Sequence, residues 1–176
     1  MESELIYTNP EKGLASEAGS NGLTVAIQPN LSTAGWPTDA GSRALDRFTA
    51  LDDATVVQRL RSAGIRICGM TGMSEFGLGL TGSSAGRVVE TKHADVELVL
   101  DLMGESRVAA VRVGACGFKP SYGLVSRYGV IGLIPSMEAV GLLARRAAID
   151  PYGSRLRSGR GRAGFLDAGG TGSRFR

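Results

Sequence analysis

The chain has 176 residues, 43% hydrophobic and 21% charged, with a formal net charge of +3 at pH 7. That is the size and composition of one globular domain with a core of its own. No apolar run approaches the roughly 20 residues that span a bilayer, and one histidine with no Cys-x-x-Cys spacing offers nothing for a metal centre. No cofactor or metal is therefore expected.

The charge is unevenly placed. Residues 151–176 carry six arginines against Asp167, a local +5, so the body is about −2. A nucleic-acid surface can therefore lie only in the tail. The opening Met1–Lys12 stretch is acidic and polar, unlike a secretory signal, and a cytoplasmic location follows by default. Cys68 and Cys116 both lie in apolar sequence and do not suggest a disulfide framework.

In chain order, residues 1–21 are polar with Gly and Ser and are expected to be a loose lead-in to a domain over 22–150. Leu23-Thr24-Val25-Ala26-Ile27 alternates and is β-branched, a strand broken at Gln28-Pro29-Asn30. Leu31 to Gly41 is loop-like. Asp52 or Asp53 can cap a helix to about Ala63, with Val56, Val57 and Leu60 on one face and Gly64 as the stop. Ile65 to Cys68 then forms a short strand. Gly82-Ser83-Ser84-Ala85-Gly86 is a small-residue loop, and Val96 to Leu102 is a second apolar strand interrupted by Glu97 and Asp101. Val108 to Val113 fits a short helix or a strand. Gly117-Phe118-Lys119 is a strand that Pro120 ends by removing a donor and fixing φ. The Gly/Pro punctuation through Gly123 and Gly129 makes the following stretch a buried turn between core elements. Ser136 can cap a helix through about Ala148, with Glu138 in its first turn and Arg145-Arg146 near its end, as the helix dipole favours. Strands separated by helices give an α/β class with a mixed sheet flanked by helices. Exposed sheet edges invite a partner strand, so another protein subunit is the expected partner.

Residues 117–130, GFKPSYGLVSRYGV, followed by IPSMEAVG, resemble the amidase-signature family, where a G-(L/F)-K-P-T-Y-G-x-V-S-R-Y-G run follows the catalytic serine loop. The helix–Gly–strand unit DATVVQRLRSAGIRICGMTGMSEFGLG is similar to that family too. The resemblance covers about residues 22–146 and implies a partial amidase-signature fold. It also implies amide hydrolysis by a serine nucleophile, a relay serine, a neutral lysine base and a glycine-rich oxyanion loop.

Carried onto this chain residue by residue, the site is degraded. The lysine of the (G/A)-(I/V)-K-D-N run is Gln28, and a carboxamide neither takes up nor releases a proton near neutral pH. Ser83 falls at the relay position, within a shortened serine loop. Counting back from Lys119, the D-T-G-G-S-I-R run becomes Asp101-Leu102-Met103-Gly104-Glu105-Ser106-Arg107. Glu105 takes the nucleophile position, Ser106 stands one residue late, Gly104 keeps the oxyanion loop and Met103 replaces a glycine. Ser83 and Ser106 are the remaining catalytic candidates. Loss of triad members compounds, which makes the chain an inactive relative or a shortened remnant. The alternatives are a hydrolase or glutamine amidotransferase component with an atypical serine, or a nucleic-acid-associated protein acting through the Arg-rich tail. The Arg/Gly/Ser-rich tail, 151–176, is expected to be disordered. It is read as a solvated tail, as a weak RNA contact with Tyr152 and Phe165 stacking, or as the product of a shifted frame in a gene encoding 17 Arg against 3 Lys.

Overall fold

A computed structural model describes residues 5–10, 23–80 and 84–145. The Arg-rich tail, its RNA contact and its expected disorder lie outside the described residues, as does Ser83. The described part is a mixed six-stranded sheet with helices on its faces, in the order β1-β3-β2-β4-β6-β5. The strands are β1 (Leu5–Thr8), β2 (Thr24–Ile27), β3 (Arg66–Thr71), β4 (Val96–Asp101), β5 (Cys116–Phe118) and β6 (Ala139–Ala144). Helix α1 (Thr55–Ser62) links β2 to β3, α2 (Arg87–Glu90) precedes β4, and α3 (Glu105–Val113) links β4 to β5. The three strands β3, β2 and β4 run parallel. β1 is antiparallel to β3, and β6 lies antiparallel between β4 and β5.

Pleating sorts the side chains into two cores. Val25, Ile27, Val96, Leu98, Val140 and Leu142 face α1, where Val56, Val57 and Leu60 meet them. Each of those three helix side chains contributes roughly 1.5–3 kcal/mol by leaving water. The opposite face is shallower: Ala26 and Cys68 pack on α2 through Val88 and Val89, and Val99 and Leu143 pack on α3 through Ala109 and Ala110. Gly117 is needed there, because a Cβ on it would sit 2.6 Å from the Ser106 carbonyl oxygen and 2.8 Å from Ala110 Cβ.

Several expectations are corrected. The helix expected from Ser136 is strand β6. Ala139–Ala144 is buried on every residue, as a strand enclosed on both faces and both edges must be, whereas a surface helix would leave one face wet. Glu138 does not serve a helix dipole. Its carboxylate accepts from the Leu133 and Ile134 amides (2.6 Å for Ile134) and pairs with Arg127 at 2.8 Å. The loose lead-in contains β1, pinned by Asn9 Nδ2 donating to the Ile67 carbonyl and by Tyr7 packing against Trp36 in a tilted pair with ring centroids 4.9 Å apart. No aspartate caps α1. Asp53 instead accepts from the Ala34 amide and pairs with Arg61, while the Thr55 amide donates to the Tyr128 carbonyl. Residues 108–113 are helical. The stretch Ser121–Leu124 is an exposed turn rather than a buried one, and Cys116 is exposed; Cys68 is buried, and the two cysteines form no disulfide.

Candidate active site at the carboxyl ends of β2 and β4

In an open α/β sheet, ligands meet the carboxyl ends of parallel strands. Here those ends are Gln28, just after β2, and the turn Leu102-Met103-Gly104 between β4 and α3. Gln28 is buried and spans the two strands: its backbone N–H donates to the Leu98 carbonyl (3.1 Å) and its side-chain Oε1 accepts from the Leu100 amide (2.9 Å). The Gln28 carboxamide therefore extends the β2–β4 ladder by one bond.

The turn is shaped by Gly104, whose φ of +133° an L side chain rarely adopts. That conformation aims successive amides inward. The N–H groups of Leu102 (2.8 Å), Met103 (2.8 Å) and Gly104 (3.1 Å) all donate to Glu105 Oε2. Charge-assisted bonds of this kind at a helix N-terminus are strong ones. The other carboxylate oxygen, Oε1, is buried without a partner.

Ser106 is fully buried, and its amide and its hydroxyl both donate to Asp101 Oδ2. It faces β6, with its Oγ 2.9 Å from where a Cβ on Gly141 would lie. Asp101 is itself fully buried and is held on its other oxygen by Lys119 Nζ (3.5 Å) and Arg107 Nη2 (3.4 Å). Lys119 also donates to the Leu102 (2.8 Å) and Met137 (2.9 Å) carbonyls. Lys119 thus ties β5 to the β4 turn and to the segment before β6, a role that motif position alone did not disclose.

Gln28 and Ser106 both dock on the end of β4, at the Leu100 amide and the Asp101 carboxylate. The Gly104 amide does point into the cradle of N–H groups, but Ser106 Oγ does not. In the serine loop, Ser84 Oγ donates to the Gly72 carbonyl at 2.7 Å. Behind that loop lies Glu97, the fully buried second residue of β4. It accepts from Thr71 Oγ1 (2.7 Å) and the Gly86 amide (2.6 Å). Burial pushes its carboxyl up to about 7, with the two hydrogen bonds pulling the other way. An acidic residue inside an apolar strand was the visible signal for it. Among the described residues no cluster of His, Cys, Asp or Glu could hold a metal ion, and no helix is long and apolar enough to cross a membrane.

A family model described as Amidase matches residues 12–94 and 104–149. The chain belongs to the amidase family. The glutamyl-tRNA(Gln) amidotransferase A-subunit from Natronomonas pharaonis is 40% identical over 146 residues, covering 70% of this chain and 34% of the relative. The protein of the same name from Haloarcula marismortui is 41% identical over 145 residues, with the same two coverages. Among solved structures, the corresponding protein from Thermotoga maritima superposes with a TM-score of 0.62 at 30% identity, over 69% of this chain and 32% of that one. An amidase family protein from Bacillus anthracis gives 0.64 at 28% identity, over 70% and 30%. The six-stranded sheet is therefore an amidase-family sheet, and this chain spans about a third of the length of the curated relatives it matches.

Proposed function

We propose that this amidase-family chain does not hydrolyse amides with its own residues and acts as a binding partner of another protein chain. The observation that carries this is Ser106: it is fully buried and its hydroxyl is spent on Asp101, so it presents no nucleophile to the N–H cradle. Gln28 adds to it, since its Oε1 already accepts from the Leu100 amide and a carboxamide cannot act as a base. Groups that act as a unit fail as a unit, and one loss costs several orders of magnitude in rate.

The partner part draws support from the sheet's edges. β1 and β5 are the outer strands. Phe118 in β5, and Tyr122, Leu124, Tyr128 and Met137 in the segment that joins β5 to β6, are exposed apolar side chains, of the kind that marks a protein contact where they cluster. The relatives are named as subunits, and the partner is accordingly another protein chain in the same compartment, the cytoplasm.

The test is exposure of the whole chain to a fluorophosphonate probe, alongside an assay of ammonia release from glutamine, asparagine and a simple primary amide. No labelled serine is expected, and ammonia release should match that of a Ser106→Ala control. A labelled serine, or turnover that the control abolishes, would restore the reading as a hydrolase with an atypical site.

A further inference from the structure

Helix α2 and its flanks form a short, thinly packed cover over a buried acid. The helix sits between two left-handed turns, Gly86 at φ +88° and Lys92 at φ +66°. Glycine takes that conformation freely, and lysine rarely does. Of the four helical residues, Val88 and Val89 are buried, and they meet the small side chains Ala26, Cys68 and Ala94. On the opposite face α1 docks on a much larger cluster. Beneath the cover lies Glu97. Its Oε2 accepts from the Gly86 amide (2.6 Å) and its Oε1 from Thr71 Oγ1 (2.7 Å). Ser84 Oγ donates to the Gly72 carbonyl and Arg112 Nη2 to the Ala85 carbonyl, which add to the attachment. Arg87, Glu90, Lys92 and His93 on α2 and the turn after it, and Arg112 on α3, are all exposed. Arg87 pairs with Glu90 at 3.9 Å. Cys68 of β3 lies on the same face, and β2 and β6 bring Ala26 and Leu143 beside Glu97. Burial and the two hydrogen bonds, not a neighbouring charge, set how the carboxyl titrates.

We propose that Ser84–Ala94 is a proton-gated flap, which lies closed on the sheet over protonated Glu97 and opens locally, more often as pH rises and that proton is lost. The two left-handed turns are its hinges, and the small side chains under α2 make it the layer that yields before the rest. Opening lets water reach Glu97, whose carboxyl then returns from about 7 to its ordinary value of 4.5. Between those values each opening releases one proton to solvent, so the opening constant rises about tenfold per pH unit. Above about 7 the closed form is ionised as well, and the rise ends. What the flap uncovers is the sheet face at Ala26 and Cys68. The device stands whether or not the chain turns over amides or binds a partner.

The experiment is amide hydrogen exchange on the full-length, 15N-labelled chain at pH 5, 6, 7 and 8, with and without sub-denaturing urea. The Gly86, Glu90 and His93 amides, bonded to Glu97, Gly86 and Val88, report the flap. The Gln58 and Ala63 amides, bonded to Ala54 and Arg59, report α1. Corrected for intrinsic exchange, protection of the flap amides should fall about a hundredfold from pH 5 to 7 and level off by pH 8. It should respond little to urea, because a local opening exposes little surface. The α1 amides should be better protected and more sensitive to urea. In Glu97→Gln, flap protection should be the same at every pH. Should that variant fail to fold, Thr71→Val tests the same point. It removes a donor that favours the charged carboxyl, so the pH at which the fall ends must move up, together with the 13C titration of Glu97. Flap protection that ignores pH in the parent, or the same fall in Glu97→Gln, would overturn the proposal. So would an end point that Thr71→Val leaves in place, or flap and α1 amides that exchange together with one urea dependence.

Discussion

Glu97 offers the sharpest physical test of the structure. It is fully buried in β4, with Thr71 and Gly86 as donors, and its neighbours across the ladders are Ala26 and Leu143. Burial raises its carboxyl from 4.5 to about 7. Between those values the folded chain holds a proton that the unfolded chain has released. Stability is then fully present below about pH 4.5, falls as pH rises toward 7, and levels off above it. At 1.36 kcal/mol per unit, the loss across that window is about 3 kcal/mol. Glu97→Gln stays neutral and removes this slope. It must rearrange one hydrogen bond, at a cost of about 1 kcal/mol, so at pH 8 the variant should exceed the parent by about 2 kcal/mol. Urea unfolding at pH 5, 6, 7 and 8, followed by fluorescence of the lone, buried Trp36, measures both chains. If the difference between parent and Glu97→Gln does not change with pH, or changes with the opposite sign, the carboxyl is not buried as described.

Three further outcomes follow from particular contacts. Gly141→Ala would bring a Cβ within 2.9 Å of Ser106 Oγ and 3.1 Å of both Asp101 Cβ and the Phe118 carbonyl oxygen. It should cost about 1–3 kcal/mol in denaturant, and Ser106→Ala in the same chain, by removing the nearest atom, should make the pair cost less than the sum of the two. Glu138→Ala strips the acceptor from the Leu133 and Ile134 amides and leaves Arg127 unpaired; a loss of about 3 kcal/mol or more is expected, read as a fall in melting temperature. Glu105→Ser puts a hydroxyl where the sequence resemblance implies the family's nucleophile but takes the carboxylate from three amides. It should lower stability by about 1–2 kcal/mol and leave ammonia release from amides at background, because Gln28 still supplies no base.

What the sequence disclosed depended on whether a residue's role was set locally. β2 shows as a largely β-branched run and β4 as an apolar one, α1 by the spacing of Val56, Val57 and Leu60 with Gly64 behind them, and the end of β5 by Pro120. β6 was misjudged because Ala139–Ala144 is apolar throughout, and such a run has neither a period of 2 nor one of 3.6 to decide between strand and helix. β1 was missed because four residues in polar sequence carry little signal, and its hold on the sheet comes from Ile67 and Trp36, far along the chain. At the site, counting from Lys119 placed Asp101, Gly104, Glu105 and Ser106 on one turn. No count could show that Glu105 folds back on its own amides or that Ser106 turns to Asp101. Those are choices of rotamer, settled by which buried donors lack an acceptor.

Unpaired donors also explain how this turn is held. Amides at the start of a helix have no partner within it, and buried ones must find an acceptor elsewhere. An amidase that keeps its cradle open leaves those amides for substrate and gives up stability to do so. In this chain Glu105 fills the cradle while Asp101, Lys119 and Arg107 lock the turn from behind. The three hydrogen bonds to Glu105 thus give the first amides of α3 the acceptor that the helix itself cannot supply. The scaffold around the turn, from Gly117 packed on α3 to Gly141 against Ser106, has no need of the reaction to hold its shape.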